Sequence, residues 1–328
     1  MEQAFPVLPS PESVRDAARR LHGVILATPL LRSDALSTAL GVDVFLKHEE
    51  QQHTGSFKLR GAYNALATLP DDARRRGVVA SSAGNHGLGV AHAARALGIR
   101  ALIFVPSTAP AVKRDGIRAL GAEVNASSPH YDAAHDAAEA FARDHARTFV
   151  NPCAGEPLLA GQGTVALEIL DALPALRTVL IPVGGGGLLG GMAGYLRAMS
   201  PAVRIVGVQS DQTDAMARSL AAGHRVEVAV PPTLADGLAG QIDDVGYEIG
   251  VASLDAMVTV SEAEIADTIA WLASAHGTRV EGSGAVAVAA LRHRRVVSLA
   301  GPVAVVVSGG NIDAGRWGEI VHAALSVH

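Results

Sequence analysis

A lysine and a run of glycines are the residues of this chain with the most specific chemistry. Lys58 lies in the segment HTGSFKLRGA (residues 53–62), and four consecutive glycines, residues 184–187, follow an apolar stretch far downstream. A lysine amine can hold an aldehyde cofactor as a Schiff base. A glycine loop can bind the phosphate of that cofactor through its backbone N–H groups. The pair therefore indicates chemistry based on pyridoxal phosphate.

The glycine run is open to three interpretations. Residues 179–189, VLIPVGGGGLL, predict a strand, a glycine loop and a helix, so that several N–H groups and a helix N-terminus can face one anion. No Gly-Lys-Ser/Thr follows, which excludes the nucleotide P-loop. Gly185, Gly187 and Gly190 satisfy GxGxxG, with Asp211 about twenty residues later, so a dinucleotide site is the second interpretation. A tight packing turn is the third.

Two further strand ends carry polar residues. Residues 78–87, VVASSAGNHG, place small residues and an amide at a helix N-terminus, where they could bind a second anion such as a substrate carboxylate. Ser and Asn are also ordinary helix caps, so capping alone is an alternative. Residues 303–311, VAVVVSGGN, end an apolar strand with a hydroxyl group. Because parallel strands end at one edge of a sheet, all three junctions could meet at one crevice.

The rest of the chain must supply the elements that position these segments. Short apolar runs alternate with alanine-rich amphipathic stretches, which predicts βαβ units and an α/β fold with a mainly parallel sheet. The clearest helix signals are Ser10 as N-cap before Pro11, and a helix from Asn85 to Leu97 that Gly98 ends. The predicted strands are residues 42–46, 77–80, 101–105, 179–181, 204–208 and 303–307.

Composition limits the partners and the location. The 328 residues are 49% hydrophobic and 18% charged, enough for one large core or two moderate ones. A net charge of −5 without a dense Lys/Arg stripe argues against nucleic acid as a partner. Cys153 is the only cysteine, which excludes an internal disulfide and fits a reducing compartment. No signal peptide is visible and glycines interrupt the uncharged residues 178–196, so we expect a cytoplasmic protein without a membrane span.

Five motifs, in this order, resemble those of the threonine dehydratase-like enzymes of the tryptophan synthase β superfamily, the fold-type II pyridoxal phosphate enzymes. They are TGSFKLRGA (54–62), SAGNH (82–86), GGGGL (184–188), ADG (235–237) and SGGN (308–311). The resemblance runs through nearly the whole chain. It implies pyridoxal 5'-phosphate (PLP) as the cofactor, rather than a nicotinamide dinucleotide.

The same resemblance implies a division of the chain. It predicts two open-sheet α/β domains with mostly parallel sheets. Residues 1–47 and 147–328 would form a large PLP-binding domain, and residues 48–146 a small domain. An amino acid as small-molecule substrate and a homodimer are further implications.

Carried over to matching positions, the resemblance gives each motif residue a role. Lys58 would form the Schiff base and then remove the α-proton of the substrate. Ser308 would face the pyridine nitrogen, and because a hydroxyl does not force that nitrogen to stay protonated, elimination is favoured over transamination. The implied cofactor contacts are Phe57, Lys58, Asn85, Gly184, Gly185, Gly186, Gly187, Leu188, Gly237, Glu281 and Ser308. The implied substrate contacts are Ser81, Ser82, Ala83, His86, Cys153 and Ala154.

Two departures from the pattern bear on the reaction type. Serine racemases of this superfamily carry a serine as acid and base directly before Gly-Asn-His, where this chain has Ala83, and an alanine cannot transfer a proton. The positions that bind a divalent ion in those relatives are Gln209 and Ala215 here. Because hard cations require charged oxygens, no metal site is expected, although Asp211 and Asp214 are close by.

A third departure bears on the substrate. Cys153 and Ala154 stand where threonine dehydratases often carry Phe-Asp after a proline. If the backbone path is the same, the smaller side chains widen the pocket, so the phenyl group of β-phenylserine could fit; repacking is the alternative.

The expected function is a PLP-dependent ammonia-lyase, or dehydratase, that converts a β-hydroxy-α-amino acid of the threonine or serine type into a 2-oxo acid and ammonia. Racemisation and β-replacement are the enzymatic alternatives. The segment SAGNH disfavours β-replacement, since sulfhydrylases usually show Thr-Ser-Gly-Asn-Thr there. A non-catalytic cofactor-binding protein or metabolite sensor is the alternative outside enzymes.

Overall fold

The computed structural model describes residues 8–325. The strands in this range are β1 (Leu30–Arg32), β2 (Val44–His48), β3 (Val78–Ser81), β4 (Ala101–Pro106), β5 (Glu123–Ser128), β6 (Thr148–Phe149), β7 (Thr178–Pro182), β8 (Arg204–Ser210), β9 (Ala256–Val260) and β10 (Val303–Val307). The helices are α1 (Pro11–Leu21), α2 (Asp34–Leu40), α3 (Lys58–Ala67), α4 (Asp71–Arg76), α5 (Asn85–Leu97), α6 (Ala111–Ala119), α7 (Tyr131–Asp144), α8 (Glu156–Ala172), α9 (Gly187–Met199), α10 (Ala215–Ala222), α11 (Asp244–Ser253), α12 (Glu262–His276), α13 (Gly282–Arg292) and α14 (Ala314–Leu325). Short 3-10 turns lie at Glu49–Gln51 and Asp236–Leu238.

The larger sheet has six strands in the order β1-β2-β10-β7-β8-β9. β1 runs antiparallel to β2, and the other neighbours are parallel. β10 is central, and all of its side chains are apolar and buried, as expected for a parallel strand covered by helices on both faces. Val305 of β10 pairs with Leu46 on one side and with Leu180 on the other. This register brings the C-terminal ends of β10 and β7 to one edge of the sheet.

The smaller sheet has four parallel strands in the order β5-β4-β3-β6. β3 lies inside it and is buried along its whole length. The strand ends at Ser81, and α5 begins at Asn85. The segment SSAGNH therefore spans the turn at the C-terminal edge of this sheet.

Helix α8 packs between α3 and α9 through glycines. A Cβ atom at Gly161 of α8 would lie 2.7 Å from the Cα of Gly61 in α3, and one at Gly163 would lie 2.7 Å from the carbonyl oxygen of Gly191 in α9. Only glycine permits backbones to approach so closely. Because α3 begins at Lys58 and α9 begins within the glycine run, this packing fixes the lysine relative to the glycines.

The predicted α/β fold with mostly parallel sheets is confirmed. The predicted helix ends are also found, since the Ser10 side chain accepts a hydrogen bond from the N–H of Ser13, and Gly98 ends α5 with φ 66°. The strand predicted at 42–46 lies at Val44–His48 instead, because its register follows β10 from Val303 to Val307.

The domain boundaries at residues 47 and 147 stay a prediction. The pairing of β6 with β3 favours a second boundary after Phe149. Among residues 8–325, no helix is both long enough and apolar enough to cross a membrane.

Candidate active site

Lys58 begins α3, and its amine reaches the loop that follows β6. The Nζ atom donates to the carbonyl oxygen of Pro152 at 2.9 Å and lies 5.3 Å from the centre of the Phe57 ring. Gly89 of α5 packs against the lysine backbone, since a Cβ atom there would lie 3.2 Å from the Lys58 carbonyl carbon. A neutral carbonyl orients the amine without forming an ion pair, so the amine stays available for covalent chemistry.

The four glycines form the turn between β7 and α9. Gly186 has φ 95°, a conformation that favours glycine. A Cβ atom at Gly187 would lie 2.9 Å from the Cα of Cys153 and 3.2 Å from the carbonyl oxygen of Pro152, so the turn contacts the loop that holds the lysine amine. The N–H groups of residues 184–189, including that of Leu188, donate to no acceptor within residues 8–325. Free donors at a helix N-terminus are groups that can bind an anion.

Asn85, the first residue of α5, joins two other polar side chains. Its Nδ2 donates to Oε1 of Glu281 at 2.6 Å, and its Oδ1 accepts from Nδ2 of Asn311 at 2.6 Å. Asn311 also donates to the carbonyl oxygen of Thr54 at 2.7 Å. This network links the lysine segment, α5 and the SGGN segment.

The carboxyl group of Glu281 is buried with only 5% of the residue exposed. Burial, and then the nearby charge of Asp236, raise its pKa to about 7. Asp236 lies beside Lys113 of α6, whose Nζ is 3.3 Å from the aspartate Oδ2. The ion pair connects a helix next to the smaller sheet with the ADG turn.

The turn after β3 forms a second group of free donors. Ser81 is 1% exposed, and its hydroxyl has no hydrogen-bond partner within residues 8–325. Ser82 Oγ accepts from the N–H of Gly84, the residue before α5, while the N–H groups of Asn85 and His86 donate to no acceptor in the described part of the chain. No side chain caps α5, so the capping alternative is wrong, and anion binding by the free N–H groups stays a prediction.

His86 turns its ring away from these donors. Burial, and then the charge of Lys58, lower its pKa to about 3, so the imidazole is neutral. Its Nε2 is 2.9 Å from the carbonyl oxygen of Val150 and must donate to it, which leaves Nδ1 as a buried acceptor without a partner in residues 8–325. His86 can therefore donate a hydrogen bond to an anion only through its backbone N–H group.

Ser308 follows β10 directly and is 4% exposed. Its Oγ donates weakly to the carbonyl oxygen of Ser283 at 3.3 Å, and its own carbonyl oxygen accepts from the N–H of Phe57 at 3.2 Å. Gly237 donates its N–H to Oγ of Ser283 at 2.8 Å. Ser283 thus connects the ADG and SGGN segments, and Phe57 connects the lysine segment to the SGGN segment.

Cys153 and Ala154 face different surroundings. A Cβ atom at Gly185 would lie 2.7 Å from Sγ of Cys153, so the thiol covers the glycine turn. Ala154 borders a cavity of about 410 Å³ between α3, β6 and α8. This space, which we term the Ala154 groove, is mainly apolar and includes Leu66, Leu69, Phe149, Val150 and Leu158 in its walls.

The other residues that differ from the family pattern are Ala83, Gln209 and Ala215. Ala83 packs at the edge of the core beneath the smaller sheet. The side chain of Gln209 is buried and accepts from the N–H of Ala217 at 3.0 Å, and Ala215 begins α10. Within residues 8–325, no three His, Cys, Asp or Glu side chains are placed to hold a metal ion together.

Comparison with known proteins identifies the family. The family described as "Pyridoxal-phosphate dependent enzyme" matches residues 21–309. The chain belongs to this family. Its lysine, free N–H groups and glycine turn lie together within the matched residues.

Individual relatives agree with this assignment. An L-threonine ammonia-lyase of Thermotoga maritima is 42% identical over 315 residues, which cover 96% of this chain and 78% of the relative. Among solved structures, maize serine racemase superposes with a TM-score of 0.91 at 30% identity, covering 98% of this chain and 99% of the other. The processed form of threonine deaminase isoform 2 from Solanum lycopersicum superposes with a TM-score of 0.88 at 32% identity, covering 95% and 92%.

The residues present fit the family's cofactor. The free N–H groups of residues 184–189 suit its phosphate, and the Lys58 amine suits its aldehyde. Added side chains on the glycine turn would occupy the space beside Cys153 and Pro152. The amide of Asn85 and the hydroxyl of Ser308 offer polar contacts for the ring.

Sequence reasoning missed two contributors to this site. The carbonyl oxygen of Pro152 orients the lysine amine, but a backbone atom leaves no signal in residue types. Ser283 joins the ADG and SGGN segments, and nothing in its surroundings along the chain marks it. Asn311 was visible only as the last residue of a motif.

Proposed function

We propose that this PLP-dependent enzyme is a dehydratase that converts a β-hydroxy-α-amino acid of the threonine or serine type into a 2-oxo acid and ammonia. The observation that carries the proposal is the Lys58 amine beside a glycine turn with free N–H groups. The similarity to an L-threonine ammonia-lyase over 96% of the chain supports the reaction type.

In this proposal, some residues of the site bind the cofactor or the substrate, and Lys58 transfers the proton. Free N–H groups of the glycine turn hold the cofactor phosphate, and those at the start of α5, with the hydroxyl of Ser81, bind the substrate carboxylate. The Lys58 amine removes the α-proton, because it is the basic side chain that the site presents beside the glycine turn. The cofactor, when bound, supplies an electron sink for the charge left on the α-carbon. Its ring would be held by Phe57, Asn85, Gly237, Glu281 and Ser308.

Racemisation is the second candidate, and the similarity to maize serine racemase favours it. Inversion needs an acid on the face of the substrate opposite the lysine. Ala83, which stands at the position of the acid in the serine racemases, has no proton to give. We therefore expect 2-oxo acid formation to exceed formation of the opposite enantiomer.

A separate question is which β-substituent the substrate carries. We propose that a bulky apolar β-substituent, such as the phenyl group of β-phenylserine, extends past Ala154 toward the Ala154 groove. The groove walls are apolar, and Ala154 leaves space that a larger side chain would occupy. The sulfur of Cys153 covers Gly185 and leaves less room on its side.

The deciding experiment measures 2-oxo acid release by the cofactor-loaded enzyme from L-threonine and from L-threo-β-phenylserine. Phenylserine should be preferred, and Ala154→Leu, which adds bulk to the wall of the groove, should lower its kcat/KM roughly tenfold or more while threonine turnover stays within about twofold. A wild-type preference for threonine would contradict the bulky substrate and leave the dehydratase standing. Lys58→Ala is the negative control and should abolish turnover of both substrates. Turnover by that variant would contradict the dehydratase mechanism itself.

A further inference from the structure

The amide of Asn85 has a defined orientation, although its oxygen and nitrogen ends have nearly the same shape. The hydrogen-bond partners of the Asn85 amide must therefore determine which way its oxygen and nitrogen point. The first group in this chain of hydrogen bonds is the carbonyl oxygen of Thr54, a backbone atom that can only accept. It receives a hydrogen bond from Asn311, so the Asn311 side chain must direct its Nδ2 there.

The same nitrogen of Asn311 also faces Asn85. Because it is a donor, Asn85 must meet it with Oδ1, at 2.6 Å. The Nδ2 group of Asn85 then points to Glu281 and uses one hydrogen for Oε1, which accepts in either protonation state. The second hydrogen on Nδ2 has no acceptor within residues 8–325.

Two motif glycines provide the space for this arrangement. Gly55 has φ 71°, and a Cβ atom there would collide with the side-chain amide of Asn311. A Cβ atom at Gly309 would collide with Oε1 of Glu281 and lie 3.1 Å from Nδ2 of Asn85. The N–H of Gly310 also donates to the carbonyl oxygen of Gly55 at 2.9 Å, which holds the two segments together.

We propose that Asn311 is a positioning residue that locks the Asn85 amide with its N–H group, rather than its oxygen, available to the ring oxygen of the cofactor. This proposal rests on the proposed contact between Asn85 and the cofactor. A donor at that place stabilises the deprotonated ring oxygen, whereas a carbonyl oxygen would repel it. Asn311 thereby sets the protonation of the bound cofactor without touching it.

The test is Asn311→Asp, which keeps the shape but cannot donate to Asn85 or to Thr54. The readouts need no substrate: the dissociation constant of PLP, and the pH at which the visible absorbance of the lysine-bound cofactor changes. We expect PLP binding to weaken roughly tenfold and the spectral pKa to rise by about one unit, which is the same change in free energy. Asn311→Ala, which removes the donor without adding charge, should shift the spectrum in the same direction by less.

Asn151→Asp is the matched control. Oδ1 of Asn151 only accepts, from the N–H groups of Cys153 and Ala154, so a carboxylate preserves its bonds and adds the same charge nearby. Its cofactor spectrum should stay unchanged. If Asn85→Ala shifts the spectral pKa but both Asn311 variants do not, the positioning role is wrong. If Asn85→Ala has no effect either, the proposed contact of Asn85 with the cofactor is wrong, and the dehydratase assignment is tested separately by turnover.

Discussion

Glu281 is a buried carboxyl group whose ionisation opposes folding. Burial, and then Asp236, raise its pKa from 4.5 to about 7, because the anion is poorly solvated inside the protein. The folded state therefore binds a proton more tightly than the unfolded chain does. The stability gained from this proton is complete below pH 4.5 and is lost as the pH rises through 7.

Glu281→Gln should remove this pH dependence. Relative to the variant, the wild type should lose about 3 kcal/mol of unfolding free energy between pH 4.5 and pH 8, since each unit of pKa shift corresponds to about 1.4 kcal/mol. Urea unfolding of the cofactor-free protein at several pH values measures the difference, in which titrations shared by both proteins cancel. Asp236→Asn, which removes the second cause of the shift, should fall between them. Parallel stability curves for wild type and Glu281→Gln would contradict the raised pKa.

Some residues of the site could be predicted from the sequence, and others could not. Lys58 and the glycine run could be found by residue type, since a covalent anchor and a phosphate turn require those residues. The hydrogen bond from Asn311 to Asn85 joins positions 226 residues apart, so no local sequence pattern predicts it. Glu281 gains its raised pKa from burial and from Asp236, and both depend on the folded chain.

At the scale of elements, the glycine turn is shaped by its contact with the loop after β6. Gly187→Ala places a Cβ atom 2.9 Å from the Cα of Cys153 and 3.2 Å from the carbonyl oxygen that accepts from Lys58. Backbone atoms cannot move aside as a side chain can, so the variant must displace the turn or the loop. PLP affinity should fall roughly tenfold or more in an absorbance titration.

Gly190→Ala is the matched control in the same helix. The atoms nearest to its Cβ atom would all belong to the side chain of Ile249, the closest at 3.1 Å, and a flexible side chain can adjust. PLP affinity should stay within about twofold of wild type. Equal losses in both variants would show that helix packing, and not contact with the loop at Pro152, explains the effect.

Elements with a strong local pattern were predicted well, and elements defined by pairing were not. β10 was predicted at its observed bounds because five consecutive apolar residues form a buried strand. β1 and β6 have only three and two residues and exist because β2 and β3 offer them a partner. Such short strands carry no periodicity to detect.

At the scale of the whole molecule, a buried ionic network joins the large sheet to the helix that carries Lys58. Arg60 donates through Nε to Glu49 at 2.8 Å and through Nη1 to Glu168 of α8 at 2.6 Å. Lys47 of β2 donates to Glu168 and lies 4.0 Å from Glu49. Arg60 and Glu49 are fully buried, and the two cations balance the two carboxylates. Since Arg60 follows Lys58 closely in α3, the network fixes the lysine helix to β2 and α8.

Arg60→Met should destabilise the protein by about 3–5 kcal/mol, because Glu49 and Glu168 would lose the guanidinium group that compensates their burial. PLP affinity should fall as well, as the start of α3 is no longer held. Arg76→Met is the control, since Arg76 forms an ion pair with Asp72 at 2.7 Å while its side chain is 42% exposed, and solvent screens such a pair so that its loss should cost far less. Urea unfolding and PLP titration of both variants give the comparison. Similar small losses in the two variants would mean that the buried network neither stabilises the fold nor positions Lys58.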